Sequence, residues 1–403
     1  MRLFIEPVEP LLFRTGRPFD AGENNFAESI FPPTPETLQG AVRATIAAHW
    51  SAGKTIAEAF EDYKLTALIG DTKGYGRFRI TGLSLGRYEK ADDKKHIERI
   101  FPMPVHILEE DDGKKRQAIL TPKQPGDKNV HTNLPSDMRL LYPKPKLDTP
   151  DGKVEPMRGW LTEQVLQRIL NTPEQVMPDK FLRTEKQDQD EETEVISDND
   201  IFVRESRLGI GMNNRTKTTE EGLLYQIEMI RMNHQYKSDY IYGFVVDIRL
   251  VTTSNGWQFI NDGDTQKEIH LPDNGWMILG GERRAAQFEV IGTTSEDQAT
   301  VQQTYNMLYL ATPAVLSKGW QPSNWSNVQP ERKPVAVAIN RYQPIGGWLL
   351  DPKHAGGTNK IIHRCVPAGT IYYFDEAVHM EQPLTEHGAE IGYGITFGGN
   401  WKQ

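Results

Sequence analysis

Arg2-Leu3-Phe4-Ile5-Glu6-Pro7-Val8, then Thr34-Pro35 leading into Leu38, Ala41, Val42, Thr45, Ile46 and His49, then Phe78-Arg79-Ile80-Thr81-Gly82-Leu83-Ser84-Leu85, is the series of signals that decides the fold class. The first is an apolar run of strand length, punctuated by Pro7 and Pro10. Thr34 is a good N-cap, and Pro35 falls at the first helical position, where its missing N–H costs nothing. The residues that follow recur at helical spacing and predict one buried face, with His49 at its edge as a structural residue. Residues 78–85 alternate as a half-buried strand does, and residues 100–108 predict another. The order is strand, helix, strand, strand.

Beyond these elements, residues 109–156 turn to Lys, Asp, Pro and Gly, too poor in apolar side chains for a core, and predict loop. A short amphipathic helix is predicted over residues 162–170. The run from Glu185 to Asp200, with Asp188, Asp190, Glu191, Glu192, Glu194 and Asp198 inside it, reads as a solvated insertion or linker and not as a metal site. The chain then becomes strand-rich over residues 223–232 and 242–250, with Asn255-Gly256 as a hairpin turn before a strand at 257–260. Further strands are predicted at 276–279, 288–291, 335–340 and 370–374, with a helix at 301–310. This is an α+β layout, antiparallel sheet with helices on one face. The expected division is an N-terminal domain over 1–150, a linker or insertion over 151–200, and a C-terminal domain over 201–403.

With 403 residues the chain is long enough for two domains, each with its own core. Its single cysteine, Cys365, excludes an intramolecular disulfide framework and any zinc site built from several thiolates, and fits a reducing cytoplasm. Glu6, Pro7, Glu9 and Pro10 interrupt the first apolar run, so no signal peptide is expected there, and no later run reaches membrane-spanning length. A formal net charge of −9 argues against a protein that coats nucleic acid by bulk electrostatics. Any RNA site must be a local patch.

Two basic clusters offer such a patch. Arg204, Arg207, Arg215 and Lys217 flank Gly209-Ile210-Gly211-Met212-Asn213-Asn214, with Thr216, Thr218 and Thr219 interleaved. Cations, hydroxyls and small backbone units are the groups that hold phosphates and sugars while leaving bases unread. Arg283-Arg284 follows Gly280-Gly281-Glu282 at a strand end. At the C-terminus, Gly388, Gly392, Gly394, Gly398 and Gly399 surround Ile391, Tyr393, Ile395 and Phe397, a density that lets backbone approach another chain or a phosphate. Gly53-Lys54-Thr55 lacks the upstream glycine of a phosphate-binding loop, since Ala48 stands there, and follows a helix. No zinc, cyclase, nuclease or hydrolase motif is present, so no catalytic residue, metal or cofactor is expected. A metal-independent ribonuclease needs only a positioned acid and base, its sequence signal would be a histidine inside a glycine-rich or basic motif, and His387, just before Gly388, is the histidine that meets this.

Leu11-Leu12-Phe13-Arg14-Thr15-Gly16-Arg17-Pro18-Phe19-Asp20-Ala21-Gly22 and Ala27-Glu28-Ser29-Ile30-Phe31-Pro32-Pro33 closely resemble the start of one CRISPR family. That family is the third subunit of the type III-B Cmr effector complex, within the RAMP superfamily. Arg207-Leu208-Gly209-Ile210-Gly211 through Thr219-Glu220-Glu221-Gly222-Leu223-Leu224-Tyr225, Leu279-Gly280-Gly281-Glu282-Arg283-Arg284 and the C-terminal glycine loop resemble its later motifs in the right order. The resemblance implies two ferredoxin-like domains of the RNA-recognition type with long loop insertions. It also implies a non-catalytic, cytoplasmic subunit that holds the crRNA 5′ handle, contacts the large polymerase-like subunit and a backbone RAMP subunit, and meets target RNA only indirectly. Carried over by position, the RNA-contact candidates are Arg14, Gly16, Arg17, Arg215, Lys217, Thr218, Gly280, Gly281, Arg283, Arg284, Gly392, Tyr393 and Gly394. The competing expectation is a metal-independent endoribonuclease processing precursor crRNA, as relatives in the superfamily are.

Overall fold

The computed structural model describes residues 1–15, 26–50, 53, 55–71, 74–111, 116–123, 134–145, 153–171, 182–183, 193–213, 215–232, 239–292, 304–349 and 358–401. The chain forms two compact units, each from three segments. Unit 1 comprises Met1–Ile97, Asn199–Ser295 and Gln343–Arg364, and unit 2 comprises Glu98–Asp198, Glu296–Tyr342 and Cys365–Gln403. This grouping differs from the consecutive segments 1–150, 151–200 and 201–403 expected from composition. The physical reason is strand pairing: the first strand finds both of its partners in the second half of the chain.

Unit 1 contains β1 (Arg2–Pro7), β2 (Phe26–Ala27), α1 (Pro35–Trp50), β3 (Phe78–Glu89), β4 (Phe202–Met212), β5 (Thr219–Met232), β6 (Tyr240–Leu250), α2 (Asp262–Ile269), β7 (Asn274–Leu279) and β8 (Arg284–Gly292). Its main strands lie in the order β7-β8-β1-β6-β3, every neighbour antiparallel. Phe4 stands opposite Val245 on one side and Glu289 on the other, and Phe244 faces Leu85. The helix begins as its sequence dictates: Thr37 N–H and Leu38 N–H donate to the Thr34 carbonyl at 3.0 and 3.3 Å. Leu38, Ala41, Val42, Thr45 and Ile46 form its buried face, as the spacing predicts. His49 Nδ1 lies 2.9 Å from the Thr45 carbonyl and its ring meets Phe288 edge-on. Leu3, Ile5, Val246, Ile248, Met277, Leu279 and Phe288 are buried, each contributing about 1.5–3 kcal/mol of apolar burial. Truncating Ile5 to alanine would cost about 2–5 kcal/mol, because the surrounding strands cannot close the void.

The β4–β5 hairpin forms a separate small sheet with β2, which pairs in parallel with β5 at Gln226 and Ile227. Phe202 opposite Met232 marks its base, and Met212 opposite Thr219 its far end.

Unit 2 is built on the strands Tyr305–Leu310, Ile371–Met380 and Thr396–Gly399, with Ala336–Ala338 and Val328–Gln329 pairing on Ile371–Met380. Its core includes Phe101, Leu161, Leu170, Tyr309, Tyr373 and Trp401. Buried aromatic polar groups find backbone partners, with Tyr309 Oη donating to Pro102 O at 2.7 Å and Trp401 Nε1 to Phe374 O at 3.0 Å.

Several sequence expectations are corrected here. Residues 301–310 were expected as helix, but Tyr305–Leu310 is a strand, because both its faces are buried and such an apolar run carries no period. The expected loop at 109–156 contains a four-stranded sheet, ordered Leu141–Lys144, Gln117–Pro122, Ile107–Asp111 and Lys153–Pro156, whose short proline-bearing strands resemble loop in composition. The single strand expected at 100–108 is two strands, Glu98–Pro102 and Ile107–Asp111, divided at Met103-Pro104. Residues 257–260 return beside β6 through isolated contacts, Phe259 bridging Val251, without forming a strand. Residues 185–192 of the acidic run lie outside the described residues. Its end is folded: Ile196 is buried and bridges Trp160, whose Nε1 donates to Asp198 at 2.7 Å.

Candidate nucleic-acid interface

Three of the sequence motifs meet in unit 1. The segment after β1 runs between β5 and the β7–β8 turn. Leu11 exchanges backbone hydrogen bonds with Ile230 of β5 at 2.7 and 2.8 Å, and Gly281 N–H donates to Leu12 O at 2.8 Å. Gly280 has φ of 75°, and a Cβ there would stand 2.7 Å from Leu12 O, so the turn can lie this close only without a side chain. Leu11, Leu12 and Phe13 are buried while Arg14 is exposed and bridges Ser29. The apolar residues anchor the segment and the arginine ends it at the surface.

Ser29 ties the segment to the hairpin. Its Oγ accepts from Phe13 N at 3.2 Å and donates to Glu228 O of β5 at 2.7 Å, and its carbonyl accepts from Arg204 Nη1 at 2.9 Å. Nothing in the sequence alone marked this residue, although a serine inside an apolar stretch is the kind of residue that stays buried only when hydrogen-bonded.

Charge is distributed unevenly along the hairpin. On its shaft Arg204 pairs with Glu228, and Arg207 and Arg231 both pair with Glu205. The hydrogen bond from Arg231, followed by that from Arg207, holds the Glu205 carboxyl below the usual carboxylate range. At the tip the situation reverses. Asn213 Oδ1 accepts from the backbone N–H of Arg215 and Thr216 at 3.0 and 3.2 Å, and Thr216 and Thr218 hydroxyls are 2.7 Å apart. Lys217 sits in the left-handed region with φ of 58°. Arg215, Lys217 and Thr218 are exposed, and among the described residues no carboxylate pairs with either cation. From the β2 register at Leu208 and Gln226 to the turn at Asn213 the shaft advances five residues, about 16 Å. Leu208, Ile210 and Leu224 are exposed along this length.

At the β7–β8 turn, Arg283 is exposed with φ of 52° and no carboxylate partner among the described residues, whereas Arg284 is half-buried and lies 3.7 Å from Glu9 and 3.8 Å from Glu282. Among the described residues Arg283 has no carboxylate beside it, and Arg284 has two. Gly16 and Arg17 lie outside the described residues.

The C-terminal glycine loop packs within unit 2. Gly392, Tyr393 and Gly394 are buried in unit 2, Tyr393 at 1% exposure. Gly394 has φ of 70° and a Cβ there would stand 2.6 Å from the Leu384 backbone, and a Cβ on Gly398 would overlap the Tyr305 ring. These glycines admit neighbouring parts of their own unit. His387 is exposed, with its carbonyl accepting from Thr385 Oγ1 at 2.9 Å. Among the described residues no group of three or more His, Cys, Asp or Glu could hold a metal ion, and no helix is long and apolar enough to cross a membrane.

The family described as CRISPR-associated protein (Cas_Cmr3) matches residues 3–401. No curated protein matches the chain. Among solved structures, one chain from a cryo-EM structure of the Type III-B Cmr-beta bound to cognate target RNA is similar at 17% identity and a TM-score of 0.45, covering 93% of this chain and 86% of that one. A second, from Type III-B Cmr-beta bound to cognate target RNA and AMPPnP, is similar at 16% identity and a TM-score of 0.43 with the same coverage.

Proposed function

This chain belongs to the Cas_Cmr3 family of CRISPR-associated proteins, and from that membership we propose that it is a non-catalytic RNA-binding subunit of a type III-B effector complex, holding the 5′ handle of the crRNA. The observation that carries the reading is the contrast in charge on unit 1. Cations on the hairpin shaft are neutralised by Glu205 and Glu228, while Arg215 and Lys217 at the tip and Arg283 at the β7–β8 turn are exposed without carboxylate partners among the described residues. In a chain of net charge −9, unpaired cations confined to turns are a local phosphate-binding pattern. The exposed Leu208, Ile210 and Leu224 add apolar surface beside them for sugars and base faces. The exposed Arg14 lies on the segment that Ser29 fastens to the hairpin, and Gly16 and Arg17 join the reading on the family resemblance alone. Thr218, Gly280 and Gly281 contribute a hydroxyl and close-approaching backbone.

Unit 1 follows the order strand, helix, strand, strand, helix, strand through β1, α1, β3, β6, α2 and β8, with β8, β1, β6 and β3 side by side. That arrangement supports a ferredoxin-like reading of this unit, and the same reading of unit 2 rests on the family resemblance. Docking to the large polymerase-like subunit and to a backbone RAMP subunit completes the proposal, with target RNA met through the assembled complex in a cytoplasmic setting. The test is binding of handle RNA against a scrambled control by the assembled complex carrying charge-removal variants at the tip and at Arg283. Loss of handle binding without loss of assembly supports the reading, and undiminished binding in every variant overturns it.

A further inference from the structure

Among the described residues the β7 edge of the unit 1 sheet lacks the usual protection. β7, Asn274-Gly275-Trp276-Met277-Ile278-Leu279, pairs with β8 on one side, and among the described residues no strand pairs with its other side. Natural edge strands are blunted by charged side chains, proline, bulges or covering segments. β7 carries no charge and no proline, and its register with β8 runs unbroken from Asn274 opposite Glu289 to Leu279 opposite Arg284. Its alternate residues divide cleanly. Met277 and Leu279 are buried on the face where α1 packs, and Trp276 and Ile278 on the opposite face are 59% and 55% exposed. Ile278 stands opposite Ala285, whose carbonyl accepts from the N–H of Val8, itself 51% exposed. An apolar strip therefore leads from the end of β1 to an open edge.

Beside that strip is a cavity of about 330 Å³ lined by Phe4, Glu6, Lys95, Trp276, Gln287 and Glu289 among others. Lys95 Nζ is 2.8 Å from Glu289, which neutralises that carboxylate. Glu6 accepts from the Tyr88 hydroxyl at 3.1 Å and has no cationic partner among the described residues. The cavity thus holds one uncompensated carboxylate next to an exposed indole. That pairing suits a guanidinium, which stacks on an aromatic face and bonds a carboxylate with two parallel donors.

We propose that the β7 edge is a docking site for an extended strand of a neighbouring protein, which adds to the sheet by main-chain hydrogen bonds and places an arginine in the Glu6–Trp276 cavity. Strand addition supplies affinity through the main chain and specificity through a pocket for an alternate side chain. RNA does not suit the site, because its phosphates would face Glu6 and Glu289. The inference is independent of the handle reading, since it concerns another face and another class of partner.

The test uses the full chain with p-benzoylphenylalanine at position 278, assembled into the purified effector complex with its guide RNA. Irradiation is expected to give an adduct with a neighbouring protein subunit, in an extended segment bearing an arginine. Amides of residues 274–279 are expected to exchange more slowly in the complex than in the isolated chain. Glu6→Arg should weaken assembly about tenfold, and arginine-to-glutamate reversal at the mapped partner position should restore it. Should Glu6→Arg unfold the chain, Ile278→Lys, which charges an exposed edge position, is expected to weaken assembly similarly while leaving the melting temperature unchanged. Adducts with RNA or with a second copy of this chain, no adduct at all, or unaltered assembly in a folded variant would each overturn the proposal.

Discussion

Replacing Arg215 and Lys217 together with alanine removes the two tip cations and leaves the turn intact, since Asn213 holds that turn through the backbone N–H groups of residues 215 and 216. Lys217 occupies the left-handed region, and alanine meets the same backbone cost there, so stability should change little. Each phosphate contact to a single strand contributes about 0.7 to the slope of log affinity against log salt. Losing two contacts should flatten that slope by about 1.4, so that between about 50 and 200 mM salt the parent loses about sevenfold more affinity than the variant does. The matched control is Arg207→Ala on the shaft, where Arg231 remains to neutralise Glu205, and a slope change near zero is expected. The assay is a salt titration of handle RNA binding by the assembled complex, with a scrambled RNA alongside. A double variant with unchanged slope and affinity would refute the reasoning and reduce Arg215 and Lys217 to solvated side chains.

Ser29→Ala should destabilise the chain by about 1–3 kcal/mol in urea unfolding, because Phe13 N–H and the Glu228 carbonyl lose a buried partner. Gly394→Ala should cost about 1–3 kcal/mol from the left-handed backbone alone, more from the contact with Leu384, and leave the salt slope of handle binding unchanged; a flattened slope would return the C-terminal loop to the RNA site. Burial lowers His106 from 6.5 to about 3, so between these values the unfolded chain binds a proton that the folded one does not. Stability should therefore fall as pH drops through this window, by about 1.4 kcal/mol per unit from this residue, and an acid limb equally steep in His106→Gln would contradict that. The isolated chain should leave precursor crRNA uncut with or without divalent metal, and site-specific cleavage abolished by His387→Ala would favour the enzyme reading.

α1 was legible because its period is set by a single buried face. β1 and β3 lie where strand length, proline punctuation and alternation of residue type put them, although both faces of each are largely buried. Tyr305–Leu310 was misread because burial on both faces erases the period. The strands between Ile107 and Pro156 were missed because lysine, glutamate and proline stand among their residues, so that buried positions such as Ile107, Glu110, Ala118 and Ile119 form no periodic apolar pattern. The division into units was illegible for a different reason, since β1 pairs with β6 and β8 across most of the chain and no local signal encodes a distant partner. For the site, residue type was readable and pairing was not. Arg284 and Arg283 are adjacent in sequence, but only the fold distinguishes the one near Glu9 and Glu282 from the one with no carboxylate partner among the described residues. Glycine density at the C-terminus likewise looked the same whether it admitted a phosphate or the Tyr305 ring.

The central claim, that unit 1 holds the crRNA handle at its turns, is tested most directly by placing 4-thiouridine at successive handle positions in the assembled complex and mapping the crosslinked residues by mass spectrometry. The account predicts adducts in this chain within residues 12–17, at the hairpin tip 213–218 and at the turn 280–283. Handle adducts confined to other subunits, or in this chain only at the C-terminal glycine loop, would contradict it.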